Sequence, residues 1–272
     1  MTQKPFKILA IALLCLAGLM LSQRVALADV TLQFTGPTTG ANLSGVYTDP
    51  YNFNVYASSY PPGPTQNESY QLLTLSCDDF STEIFQNEMW DAIQTPLSAL
   101  TPSTADPNLK FDQSNSMTVR DGAGNILFAD VSQMQAYDAV AWLAEQIVNG
   151  ATNPHPLDAS LASYAIWQIF ECNSVNQITT ANDGNASADK ATIYADIDLA
   201  FTNGPSIKGS SDVSIFTPQP QSAAQEFIDI GSDPQPNELK VPEASTVVSL
   251  GLDFLALPGI IFLVGRRIRR EA

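Results

Sequence analysis

Histidine is nearly missing from this chain: the one copy, His155, is wedged between Pro154 and Pro156. No cysteine or second histidine lies beside it, which removes the usual zinc ligand sets. A Ser-His-Asp triad would have to use that single residue, and no Gly-x-Ser-x-Gly elbow occurs to support one. Cysteine is scarce too, at 3 in 272 residues. Cys15 lies in an apolar leader, so Cys77 and Cys172 are left for the folded part. Two cysteines do not make a disulfide scaffold, so apolar burial must hold the domain together. Basic residues are few, 12 Lys and Arg against 28 Asp and Glu. Such a surface repels polyanions, which excludes a nucleic-acid partner. No internal repeat is present.

Long apolar runs occur only at the two ends. Lys4 and Lys7 precede an apolar stretch from Ile8 to Leu21, and Ala26-Leu27-Ala28 gives a small-x-small cleavage site. Residues 1–28 therefore read as a signal peptide, with the mature chain starting at Asp29. At the other end, Val241-Pro242-Glu243-Ala244-Ser245 leads into an apolar run over 247–264, followed by Arg266, Arg267, Arg269 and Arg270. A span of about 20 residues crosses a bilayer core, and arginines beyond it stay on the cytoplasmic side. A C-terminal transmembrane helix is the expectation for this run.

The order Pro-Glu, apolar span, arginine cluster over 241–270 resembles the PEP-CTERM sorting signal of Gram-negative bacteria. Ala244 stands where that family usually has a second proline, and Asp253 interrupts the apolar span. The resemblance implies export, a membrane stage, and processing by an exosortase-type enzyme near Pro242-Glu243.

Between these ends lies an acidic ectodomain, 29–230, followed by a linker, 231–240, rich in Pro and polar residues. Without the two ends, Lys and Arg fall from 12 to 5 and Asp and Glu from 28 to 25, a balance of about −20. Val30 to Phe34 and Phe53 to Tyr56 alternate at strand period, and Tyr70 to Cys77 is a further strand candidate. A short helix is expected over Ser81 to Ala92 and an irregular connection over Thr95 to Pro107. Val119 and Ile126-Leu127-Phe128 flank a hairpin tip at Asp121 to Asn125. Helical spacing follows from Ser132 to Val148, from Asp158 to Glu171, and from Ser187 to Phe201. The second helix has almost no polar face and is expected at the centre of the fold. Strands return at Val213 to Phe216 and Phe227 to Ile230. The fold class expected is α+β, with strand-rich N- and C-terminal parts around a buried central helical segment.

Cys77-Asp78 and, on the buried helix, Ala165-Ile166-Trp167 together resemble thioester-forming adhesin domains. In that family a strand-end cysteine is acylated by a glutamine two positions before the Ala-Ile-Trp. Here that position is Ser163, which has no acyl group to give, so no thioester is expected. Cys77 is then either a disulfide partner of Cys172 or a buried free thiol; spacing does not decide between them. Asp78, Asp79 and Glu83, Asp121 with Asn125, and Asn182 with Asp183 carry hard oxygens, but none has EF-hand spacing. They read as caps, turns and solvated loops, and neither a metal nor a cofactor is expected.

The sequence thus points to an exported, non-catalytic surface or matrix protein with a structural or adhesive role. Its expected partners are an exosortase-type enzyme, the membrane, and extracellular polysaccharide or surface proteins. An enzyme reading would need Asp79 and Glu83 as a carboxylate pair about 5–10 Å apart in one cleft, acting on a surface polymer. A covalent thioester adhesin is the third reading.

Overall fold

The computed structural model describes residues 28–48, 50–57, 70–148, 157–207 and 212–231. The strands are β1 (Ala28–Pro37), β2 (Asn42–Leu43), β3 (Val46–Tyr47), β4 (Tyr51–Ala57), β5 (Gln71–Cys77), β6 (Met89–Pro96), β7 (Met117–Arg120) and β8 (Ile126–Val131). Three helices follow, α1 (Gln133–Val148), α2 (Ala159–Phe170) and α3 (Ala186–Asn203), and then β9 (Ser214–Pro218) and β10 (Phe227–Asp229).

Six strands close into a barrel in the order β1-β4-β5-β10-β9-β6, with β6 returning to β1. Every neighbouring pair is antiparallel. Closure leaves the barrel no unpaired sheet edge. Alternation along each strand sends one set of side chains inward. Val30, Leu32 and Phe34 from β1 meet Tyr51, Phe53 and Val55 from β4, and Leu73, Leu75 and Cys77 from β5. Phe53 sits 4.7 Å from Phe227 and 5.9 Å from Trp90, ring centre to ring centre, both edge-on. Edge contacts set the positive rim of one ring against the negative face of the next.

Outward residues of two strands build a second core. Ile215 of β9 and Ile228 of β10 join α1, α2 and α3, while their neighbours Phe216 and Phe227 point into the barrel. Two adjacent strands thereby serve two cores on opposite faces. Helix α2 buries Ala162 through Ile169, and Asp158 caps it by accepting from the Ser160 and Leu161 N–H groups at 2.9 and 3.2 Å. Helix α1 opens with a capping box: the Ser132 N–H donates to the Gln135 side chain at 2.9 Å, and the Gln135 N–H donates to Ser132 Oγ at 3.3 Å. Gly204, just past α3, lets that end close on α1. A Cβ there would meet the Asp138 carbonyl at 2.9 Å.

The expected α+β arrangement is corrected on two points. Strands from the two ends of the chain do not flank a central helix; they pair with each other and enclose a core of their own. Register pairs such as Thr95↔Ile215 and Phe227↔Cys77 link positions far apart in sequence, and local periodicity carries no trace of such pairing. Helix α2 lies in the layer beside the barrel. Second, no helix among the described residues is long and apolar enough to cross a membrane. The transmembrane helix expected over 247–264 is therefore not supported, and its residues lie outside those described. The short helix expected over Ser81 to Ala92 is a correction too. Met89 onward is strand β6, pairing Trp90 with Leu32 and Ala92 with Val30.

Candidate functional site

Chemistry-bearing side chains converge where β5 leaves the barrel. Cys77 ends that strand, and Asp78, Asp79 and Phe80 run on toward α2. The turn is fixed from both sides. The Asp78 N–H donates to the Glu226 carbonyl at 3.3 Å, and the Trp167 indole N–H donates to the Cys77 carbonyl at 3.0 Å. Phe80 packs 5.1 Å from Trp167. Aspartates following such a strand end are drawn inside, and both Asp78 and Asp79 have no exposure.

An inner cluster surrounds Glu226, itself fully buried just before β10. Its carboxylate accepts from the Tyr137 hydroxyl of α1, from the Thr217 hydroxyl of β9, and from the Lys110 backbone N–H at 3.0 Å. Among the described residues no N–H or hydroxyl group donates to either Asp78 oxygen. Its carboxyl lies against that of Glu226, an arrangement that favours the protonated form of Asp78. Burial, then the Glu226 and Asp79 charges, push the Asp78 carboxyl well above its ordinary range. Burial also raises Glu226, against the opposing pull of its Thr217, Tyr137 and Lys110 donors. One proton held between two carboxyls avoids two adjacent buried charges.

An outer cluster lies next to it. The Lys110 ammonium pairs with Asp79, donates to Thr82 Oγ1 at 2.9 Å, and reaches the Ala224 carbonyl at 3.4 Å. Ser81 donates to Asp79 Oδ1 through its N–H at 3.1 Å and its hydroxyl at 3.2 Å. Glu171, one residue past α2, accepts from the Phe80 and Ser81 N–H groups at 2.8 and 3.1 Å and lies beside the Asp79 side chain. Burial and the Asp79 charge raise the Glu171 carboxyl, and the two backbone donors oppose them.

Of the residues singled out in the sequence, Cys77, Asp78, Asp79 and Trp167 meet here. Cys77 and Cys172 are both free thiols. The Cys77 Sγ donates to the Asp79 carbonyl at 3.0 Å, and burial together with the Asp79 and Asp78 charges pushes the thiol well above its ordinary value. Such a group stays protonated and is a poor nucleophile. Ser163 faces elsewhere, donating to the Thr48 carbonyl at 2.6 Å and the Ala159 carbonyl at 2.9 Å. Ala165 and Ile166 are core residues. Gln168 has its amide engaged by Arg120, Cys172, Ser174 and Val175.

Glu83 is exposed while Asp79 is sealed and ion-paired, so these two carboxylates do not face a common cleft. Asp121 receives the Ala123 and Asn125 N–H groups at 2.9 and 2.8 Å and forms the hairpin turn. Asn182 accepts from the Thr179 N–H at 2.8 Å, and Asp183 from the Asn185 N–H at 2.9 Å. Among the described residues no group of three His, Cys, Asp or Glu side chains is placed to hold a metal ion. His155, the sorting motif Val241, Pro242, Glu243, Ala244 and Ser245, and the arginines 266, 267, 269 and 270 lie outside the described residues.

Lys110, Tyr137, Glu171, Thr217 and Glu226 were not legible as site residues. They come from five separate stretches, and only Tyr137 carries a local pattern, that of a helix face. No family model, curated protein or solved structure matches this chain.

Proposed function

We propose that this chain is an exported cell-surface or extracellular-matrix protein with a structural or adhesive role and no catalytic activity. The observation that carries the reading is the ordered Pro242-Glu243, apolar run and arginine cluster of the C-terminal segment. It suits recognition by an exosortase-type processing enzyme. The leader over 1–28 supports export. The balance of about −20 between the ends suits a solvated envelope surface and neutral or cation-bridged polysaccharide partners.

Two features of the structure favour a non-catalytic role. A nucleophile or acid-base pair needs access to substrate, yet Cys77, Asp78, Asp79 and Glu226 are all buried. A barrel without open edges, backed by a second core, also makes a stiff body suited to a surface or matrix.

The sorting motif gives the test. Pro242→Ala combined with Glu243→Ala is expected to block processing, so that the chain stays cell-associated and keeps its C-terminal segment. Mass measurement and immunoblotting of cell and medium fractions report both effects. Unchanged processing and location in the double variant would overturn the sorting assignment.

A further inference from the structure

The outer cluster holds an amine and a carboxyl together in a largely buried place. The Lys110 side chain is 15 % exposed and Asp79 is 0 % exposed. Their ion pair is the only one among the described residues despite the large excess of acid. Lys110 Nζ lies 6.0 Å from the Phe111 ring centre, and Phe111 is stacked on Phe170 at 4.4 Å. An ion pair in such a place is expensive, because both partners lose their hydration. Neutralising both groups by joining them removes that expense.

We propose that Lys110 and Asp79 become joined by an amide bond between Nζ and Cγ, in a reaction the folded protein performs on itself with Glu171 as proton carrier.

The reacting amine and carboxyl are already in contact, and Glu171 lies beside the Asp79 side chain. The Lys110 ammonium passes one proton along its existing hydrogen bond to the Asp79 carboxylate, leaving a neutral amine beside a neutral carboxyl. The amine lone pair attacks Asp79 Cγ and forms the C–N bond. Charge developing on the carbonyl oxygen falls to the Ser81 N–H and hydroxyl, which already donate to Asp79 Oδ1. Glu171 takes a proton from the new C–N nitrogen and delivers one to the departing hydroxyl, so the C–O bond breaks and water leaves. The products are one amide and one water. Nothing is oxidised or reduced, and Glu171 ends as it began. Burial raises the Glu171 carboxyl, which favours the protonated form that this transfer needs.

Positioning supplies the rate. Lys110 Nζ is held by Thr82 and Ala224 as well as by Asp79, and the Lys110 backbone is pinned to Glu226. Reactants fixed in this way behave as if at very high local concentration. The absence of exposure at Asp79 keeps hydrolytic water away from the product. The bond would tie the end of β5 to the connection between β6 and β7, across 31 residues of sequence. This inference does not rest on the surface-protein reading.

Peptide mapping of the full chain tests it. Trypsin combined with a glutamate-specific protease cuts at Glu83 and Glu88, between the two residues. The expected result is a branched peptide containing both Asp79 and Lys110, one water lighter than its parts and uncut after Lys110. Lys110→Arg keeps a cation at Asp79 but cannot form the amide, and is expected to give two separate peptides. Glu171→Gln is expected to leave Lys110 and Asp79 unjoined; it carries the comparison should Lys110→Arg fail to fold. Separate peptides from the wild-type chain, with Lys110 cleavable by trypsin, would overturn the proposal. A branched peptide in Glu171→Gln would overturn the role of Glu171.

Discussion

Glu226→Ala is expected to destabilise the domain by about 3–5 kcal/mol, the range for stripping one partner from a buried charged network. The substitution leaves the Tyr137 hydroxyl, the Thr217 hydroxyl and the Lys110 N–H buried without their acceptor. It also removes the carboxyl that lies against Asp78. Each orphaned donor costs about 1–3 kcal/mol, and relaxation keeps the total below their sum. Because these donors come from α1, β9 and the connection between β6 and β7, the loss falls on the junction between the two cores. Glu226→Gln keeps an acceptor oxygen and is expected to cost about half as much. Urea unfolding checks both variants, as a lower midpoint at unchanged slope. An alanine variant with a wild-type midpoint would mean that the cluster holds nothing together.

Raising the pH is expected to weaken the fold, the reverse of ordinary acid denaturation. Asp78, Glu226, Glu171 and Asp196 are all shifted upward, chiefly by burial, and Asp196 reaches about 6 with the Asp158 charge adding. A carboxyl raised in the folded state binds its proton more tightly there than in the unfolded chain. Its stabilisation is complete below the unfolded value near 4 and is lost as pH climbs through the folded value. For Asp196 that window runs from about 4 to about 6. Asp121, lowered first by its Asn125 side-chain hydrogen bond, works in the opposite sense but is fully exposed. Thermal unfolding in buffers from mildly acid to mildly alkaline should therefore show Tm highest in acid. Asp196→Asn is expected to match wild type near pH 4 and exceed it at pH 7. A wild-type Tm that climbs from pH 4 to pH 8 would contradict this ordering.

What could be read in advance was what local rules govern. Helical spacing from Ser132 to Val148 and from Asp158 to Glu171 marked α1 and α2. Alternation at Val30 to Phe34 and Phe53 to Tyr56 marked β1 and β4. Asp121 to Asn125 marked the turn between β7 and β8. The helix expected over Ser81 to Ala92 does not form. The pairing of Trp90 with Leu32 across the barrel decides its fate, and local propensity yields to such tertiary contacts. Closure was invisible for the same reason. The site divides similarly: Cys77-Asp78 and Ala165-Ile166-Trp167 drew attention as motifs, and Ser163 was legible as lacking an acyl group. Glu226, Lys110 and Glu171 are isolated charges in unremarkable sequence, and only the fold gathers them.

Where the mature chain resides, and between which termini, bears most directly on the functional reading. The chain should be purified from the cells that make it, after separating cytosol, envelope and medium, and its two ends read by mass spectrometry. The expected product starts at Asp29, ends near Pro242-Glu243, and is recovered from the envelope or the extracellular material. Recovery of the full-length chain from the cytosol, with residues 1–28 and 241–270 still attached, would contradict the account.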